Sequence, residues 1–511
     1  MFSLDTLIGT FSLVFTAEVL LWLLVGVVVG VAVGAIPGLT AATAMAVALP
    51  LSIALPVTSA LGLMIGIYKG GIFGGSIPGI IFGMPGTSES AATVYDGHKL
   101  AQRGQSRKAL EMALSASVTG DMLSDLFTIF VAPAVAIVAL AFGPTERFWL
   151  VLLAVLLIGA LTGIHLMKGL ISAAIGVFIA SIGSDPMFGV GRMTFGQWWL
   201  ADGIGLIPLV VGIFAMPVIF GETAKLLLQR NLNRTAKSEA SATTSGIGPG
   251  LTLREFASTW KELGIGTAVG TFVGMLPGLG ATPGAFLSYG IAKQASPEKQ
   301  IGTGKLEGIA AAEAGNNATC GPTLIPLLAF GIPGSGGAAL LGAALFAQGI
   351  TPSPRMFELH SEVVYALFVI LLVANVINYG CGQFFIRGFA RVAQLPQSQL
   401  MPLILMLCVL GTYATRGNLF DVLILLGLGL LGFLLNVVQI PSAPLVIAYL
   451  VAPMAEENLR RALIIARGDW LSALLGSPLA LGLIASVIFL AFVIVRFMRK
   501  TLQQQNEAEP K

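Results

Sequence analysis

The sequence predicts an all-α polytopic membrane protein of about 12 membrane segments, some re-entrant or broken, built as two inverted-topology repeats. Three observations point there. Charged residues make up only 10% of the 511, against roughly 25% in soluble domains. Hydrophobic residues make up 56%, and the mean hydropathy is +0.89. A soluble fold of this size would have too little polar surface to cover itself. Long unalternating apolar runs, such as Phe148–Leu161 and Val422–Leu435, argue for helices rather than a barrel. The third observation is 63 glycines and 26 prolines, many inside apolar stretches. Broken helices need them, because their freed backbone groups line a cavity.

Composition also excludes. A net charge of +3, scattered along the chain, gives no basis for a nucleic-acid partner. Cys320, Cys381 and Cys408 show no paired spacing, and His98, His165 and His360 are far apart, so neither a disulfide framework nor a metal centre is expected. Met1–Leu24 is apolar but has no basic start, with Asp5 and Glu18 its only charges. A cleaved signal is therefore not expected.

Taken in order, the first element is a glycine-rich helix that ends in Pro37-Gly-Leu-Thr40. Val25–Leu39 recurs as Ile265–Leu279, with Gly26, Gly30, Gly34, Pro37 and Gly38 matched by Gly266, Gly270, Gly274, Pro277 and Gly278 at an offset of 240. A second block, Ile77–Gly86, recurs as Ile325–Gly334 at an offset of 248. Residues 1–227 are read as the first repeat, 228–255 as a polar linker rich in glycine and serine, and 256–511 as the second repeat.

Charge sets the relative sense of the copies. The loop after the second block carries His98, Lys99, Arg103, Arg107 and Lys108 in the first copy; its counterpart, Gly349–Glu358, has only Arg355 and Glu358. The loop after the first block reverses this: Pro50–Ser59 is uncharged, whereas Lys293–Glu307 holds Lys293, Lys299 and Lys305. Equivalent loops of opposite basic content are what the positive-inside rule requires of copies inserted in opposite senses. The basic linker and the tail Arg496–Lys500 are then cytoplasmic. Lys261–Lys293 starts and ends on basic segments, so it is read as a re-entrant hairpin turning at Pro277-Gly-Leu-Gly-Ala-Thr-Pro283, with two short full spans as the alternative.

The two Pro-Gly-Leu breaks, the run Glu307-Gly-Ile-Ala-Ala-Ala-Glu-Ala-Gly-Asn-Asn-Ala-Thr-Cys-Gly321 and Leu324–Ser335 resemble the TctA family, the large membrane subunit of the tripartite tricarboxylate transporters. The likeness spans essentially the whole chain. It implies a secondary, ion-driven importer of citrate-like di- and tricarboxylates in the bacterial inner membrane. It also implies a small TctB-like membrane subunit and a periplasmic TctC-like solute-binding protein as partners. An elevator mechanism follows by analogy with other inverted-repeat carboxylate carriers. No cofactor is expected, and the coupling ion is H+ or Na+.

The residues themselves offer candidates for that chemistry. Asn316, Asn317 and Thr319 bring amide and hydroxyl groups into an apolar neighbourhood and could meet a carboxylate or an ion; helix bridging is the structural alternative. Lys69 lies opposite Asn317 on the repeat alignment and could be the counter-charge to a carboxylate; snorkelling, or pairing with Glu313, is the alternative. Gly86, Thr87 and Ser88, like Gly334 and Ser335, sit where a Pro-Gly break passes into a new helix start, suited to carboxylate contact or to ordinary capping. Pro37, Gly38, Thr40 and Thr43, with Pro277, Gly278 and Thr282, could bind sodium through freed carbonyls and hydroxyls, or simply repair the broken ladder. Asp121 and Asp125, four apart on one helix face, could carry a proton or an ion, but are read as two or three turns deep and paired with Arg or Lys; Asn375 and Asn378 are read as interhelical glue.

The rival classes are weaker. No Gly-x-Ser-x-Gly, His-Glu-x-x-His or phosphate-cradling Gly-x-x-x-x-Gly-Lys motif occurs, so neither an enzyme nor an ATP-driven pump is expected. A channel, or a carrier working without a binding protein, remains the alternative.

Overall fold

A computed structural model describes residues 4–36, 38–160, 166–185, 189–231, 248–392 and 397–489. Pro37, His165, most of the linker and the basic tail lie outside the described residues. The described chain is helical, apart from one short antiparallel pair, Gly183–Ser184 with Gly191–Arg192. Among the described residues, six helices are long and apolar enough to cross a membrane, and shorter apolar ones, among them Ala41–Ile53 and Gly336–Ala347, accompany them. Phe130, Leu434 and Phe489 are among many large apolar side chains left exposed. Lipid, not water, is the solvent that fits them.

Helix Ala17–Gly34 and helix Ala41–Ile53 are joined through the first break, and Trp260–Met275 and Ala281–Ala295 through the second. Lys261 Nζ donates to the Ala295 carbonyl at 2.6 Å, so the two ends of the second pair meet as a hairpin. At 16 and 15 residues, its arms reach about 24 Å each, short of a full hydrocarbon core of about 30 Å. Gly38 and Gly278 take φ of +88° and +82° at the turns, a left-handed backbone that only glycine adopts without strain.

Each hairpin packs on its own long segment in the same register. A Cβ on Gly26, Gly30 or Gly34 would run into the backbone of Leu63, Ile67 or Gly71, on helix Val57–Phe82. A Cβ on Gly266, Gly270 or Gly274 would meet Ala311, Gly315 or Thr319. The donors differ by 240 and the acceptors by 248, the same offsets as the sequence blocks. The turn that follows also matches. Gly83 and Gly331 are left-handed caps bonded to the carbonyls of Gly79 and Leu327, and Gly86 and Gly334 donate to the carbonyls of Gly75 and Thr323 at 3.1 and 3.2 Å. The copies differ in one respect: helix 57–82 is continuous, whereas its counterpart divides into Leu306–Asn317 and Leu324–Phe330 around Pro322, where the first copy has Gly74.

The loops gather at two ends of helix Ser106–Leu140, which at 35 residues is about 52 Å long. At its start, Lys99 reaches the Gly302 carbonyl at 2.6 Å, Arg103 the Thr303 carbonyl at 2.7 Å, and Lys108 reaches Glu255 at 2.6 Å. Beyond its far end, Phe142 packs on Phe330, and Arg147 and Ser353 face one cavity. Gln348 donates to the carbonyls of Ser52 and Leu55 at 2.7 and 2.9 Å, bringing the uncharged loop of the first copy beside the loop that begins at Gly349. Helix Met216–Asn231 runs into the linker, and a Thr252–Glu255 capping box starts helix Leu253–Ala257 before it ends.

Candidate functional site

The two kinds of break meet. Gly278 N donates to the Gly334 carbonyl at 2.9 Å, which joins the hairpin turn to the Pro-Gly turn of its own half. Ser88 and Thr282 share a hydroxyl hydrogen bond of 3.1 Å, which joins the halves to each other. Ser335 caps helix 336–347 by accepting from Ala338 N at 3.1 Å, and its hydroxyl also meets Tyr68 OH at 3.0 Å. Thr87 packs against Gly75, and a Cβ on Gly86 would strike the Gly34 and Gly75 carbonyls. Thus Gly86, Thr87, Ser88, Thr282, Gly278, Gly334 and Ser335 form one region, with two helix starts directed into it. Thr40 and Thr43 are occupied locally. Thr40 accepts from Thr43 N at 3.1 Å, and Thr43 donates to the Phe214 carbonyl at 3.3 Å. Pro277 stands in the second turn.

Asn317 lies against helix 106–140, whereas Thr319 packs on Gly274 and Gly284 of the second hairpin. Asn317 Nδ2 donates to Ser117 Oγ at 2.8 Å, and Thr319 to the Asn316 carbonyl at 2.7 Å. Asn316 is fully buried, and neither of its side-chain polar atoms has a hydrogen-bond partner among the described residues.

Lys69 is fully buried and bonded to Asp121 and Asp125 at 2.8 and 2.5 Å, with Asn375 Oδ1 at 3.3 Å. It neither snorkels nor pairs with Glu313. The two aspartates are deeper than expected, at 1% and 0% exposure, because Ser117, Asp121 and Asp125 share the inward stripe of the helix at four-residue spacing. Asn375 ties a third helix, Ser361–Val392, to the cluster by donating to Asp125 at 2.6 Å.

Two carboxylates at this interface, Glu313 within it and Asp96 at one end, were not picked out from sequence as sites. Glu313 accepts from Ser76, Thr93 and Ser117. Asp96 accepts from the backbone N–H groups of Gly302, Gly304 and Lys305 and from Tyr289 OH. An acid inside an apolar run is a signal in its own right, and Glu313 sits among alanines.

A cavity of about 470 Å³ opens beside Ile332, at the Pro-Gly turn of the second half, lined also by Arg147, Ser353, Tyr449, Glu457 and Arg461. That size suits a small solute. Arg461 pairs with Glu457, while Arg147 has no acidic partner among the described residues and feels the charges of Arg355 and Arg461. The cavity's charged lining residues are two arginines and one glutamate.

Residues 20–447 match the sequence model of the tripartite tricarboxylate transporter TctA family. The chain belongs to this family. It is 32% identical over 424 residues to an "uncharacterized 52.8 kDa protein in TAR-I ttuC' 3'region" of Agrobacterium vitis, covering 83% of this chain and 82% of that protein. A second protein of the same organism, from the TAR-II ttuC' 3'region, is 33% identical over 226 residues, 43% of this chain and 93% of the relative. No solved structure matches the chain. As a TctA-family member it is a multi-pass membrane transport protein.

Proposed function

We propose that this chain is the large permease subunit of a binding-protein-dependent secondary transporter that imports citrate-like di- and tricarboxylates across a bacterial inner membrane. A TctB-like small subunit and a TctC-like binding protein complete it, and an ion gradient drives it. Within the family assignment, the observation that carries the substrate class is the cavity beside Ile332, lined by Arg147 and Arg461. An anion held by Arg147 would stand beside Ile332, three residues before the helix start at Ser335. From there Gly86, Thr87, Ser88, Gly334 and Ser335 would replace its water, with Asn316, Asn317 and Thr319 deeper in the same half. Sodium, if it is the coupling ion, would be held at the turns by Pro37, Gly38, Thr40, Thr43, Pro277, Gly278 and Thr282. Lys69, already ion-paired, would act on the solute only through Asp121 and Asp125.

The opposite insertion of the two copies is part of this reading. Its support is the sorting of loops: 98–108 lies beside 302–305 at one end of helix 106–140, and 52–55 beside 348 toward the other. The linker and C-terminus then face the cytoplasm, and movement of one packed unit against the other is the elevator step. The test is reconstitution into liposomes. Carboxylate uptake should require the binding protein and the small subunit, saturate, and give no single-channel current. Robust uptake by this chain alone would point to a standalone carrier; a unitary current would make it a channel.

A further inference from the structure

Glu313 has an environment that few buried carboxylates share. Its side chain is 0% exposed. Oε1 contacts the hydroxyls of Ser76 and Thr93, both at 2.5 Å, and Oε2 contacts the hydroxyl of Ser117 at 2.8 Å. Asn317 Nδ2, one turn along its own helix, lies 3.5 Å from Oε2. No cation lies within ion-pair distance among the described residues. The charged groups of the packed helices are engaged elsewhere. Lys69 on 57–82 is bonded to Asp121 and Asp125 of 106–140, and Asp96 on 91–102 is bonded to the 302–305 backbone and Tyr289. An anion here would be a buried charge with dipoles but no counter-charge, an expensive state.

Two occupants would relieve it, a metal cation or a proton, and the distances favour the proton. Three hydroxyl oxygens already touch the carboxylate directly, so a sodium ion could enter only by pushing them back. A proton requires only that one hydroxyl rotate from donor to acceptor, which hydroxyls do freely.

We infer that Glu313 is the carboxyl that carries the coupling proton of this transporter, an assignment that rests on the transport reading above. The neutral form is stable in the closed interface. All three hydroxyls belong to residues 1–227 and Glu313 to the second half, so the acid is buried by the contact between halves. Release breaks the Oε–H bond and passes the proton to water once the contact loosens; uptake from water re-forms it. Ionised Glu313 opposes closure, which links the proton to the movement. Lys69, Asp121 and Asp125 form the structural ion-paired triad beside it.

The direct test needs no substrate. The full chain in lipid vesicles is titrated by infrared difference spectroscopy, and the C=O stretch of a protonated carboxyl is followed. The band should be present at neutral pH, absent from Glu313→Gln, retained in Asp125→Asn, and shifted in Ser117→Ala, which keeps the assignment testable should the glutamine variant misfold. Persistence in Glu313→Gln, loss in Asp125→Asn, or disappearance on adding sodium chloride at fixed pH would each overturn it. In the reconstituted complex, Glu313→Gln should make carboxylate accumulation indifferent to an imposed pH gradient; a full gradient response would sink the proton role. A wild-type band that behaves as expected beside absent carboxylate transport would instead sink the transport reading and leave the protonated carboxyl standing.

Discussion

Lys69 is a residue whose loss should be felt more than its gain. Removing one partner from a buried ion pair costs about 3–5 kcal/mol, because the other charge is stranded. Lys69→Met should therefore lower thermal stability in detergent sharply, and adding Asp121→Asn and Asp125→Asn should recover much of the loss. No recovery would mean that the cluster is not the source of the defect. Ser335→Ala removes a cap worth about 1 kcal/mol and leaves the Tyr68 hydroxyl with one partner fewer. Its effect on stability should be mild, while apparent affinity for the carboxylate should fall about ten- to a hundredfold if Ser335 donates to a charged ligand. At this scale the sequence reveals chemical type but not partners. Asn316 and Asn317 stand out as amides among apolar residues, and Ser335 as a helix start. The hydroxyls around Glu313 cannot be found the same way, because Ser76, Thr93 and Ser117 come from three helices and look like ordinary small polar residues.

Among the elements, the hairpins were the most legible, because a proline-glycine break and a four-residue glycine stripe both leave marks in the sequence. The stripe carries more than the break does. Gly266, Gly270 and Gly274 let two helix backbones touch, the close approach that small residues permit in membranes. Gly270→Val should displace helix 306–317 and with it Glu313 and Asn317, an overpacking cost of about 1–3 kcal/mol that fluorescence-detected size exclusion would register. Gly264→Val, on the same helix but facing open space, is the control, and equal damage from both would refute the packing argument. The split of the second long helix at Pro322 was not foreseeable from the repeat alone. Pro78 and Pro326 are shared by both copies and leave their helices intact, so proline by itself does not decide where the chain breaks.

Across the whole molecule, the loop sorting makes a prediction about access. Single cysteines at Gln105 and Glu298 should react with an impermeant reagent from one side of the membrane, and one at Ser353 only from the other. Gln105 and Ser353 labelled from the same side would refute the opposite insertion. Asp96 fastens the first of these ends: it holds three backbone N–H groups of the 302–305 loop, so Asp96→Ala should cost about 3 kcal/mol or more and loosen the contact between halves. Helix 106–140 runs the length of that contact and meets it with an ordered pattern, a hydroxyl at 117 and carboxylates at 121 and 125. Successive members are one turn apart, about 5.4 Å. Sliding the helix one turn along its axis would carry Asp121 to the place of Ser117, facing Glu313, and would leave Lys69 with one carboxylate instead of two. Asp121 would then stand out of water without the cation it now shares. The helix is keyed to a single axial setting, and its only inexpensive movement is as a rigid body together with the half it is locked to.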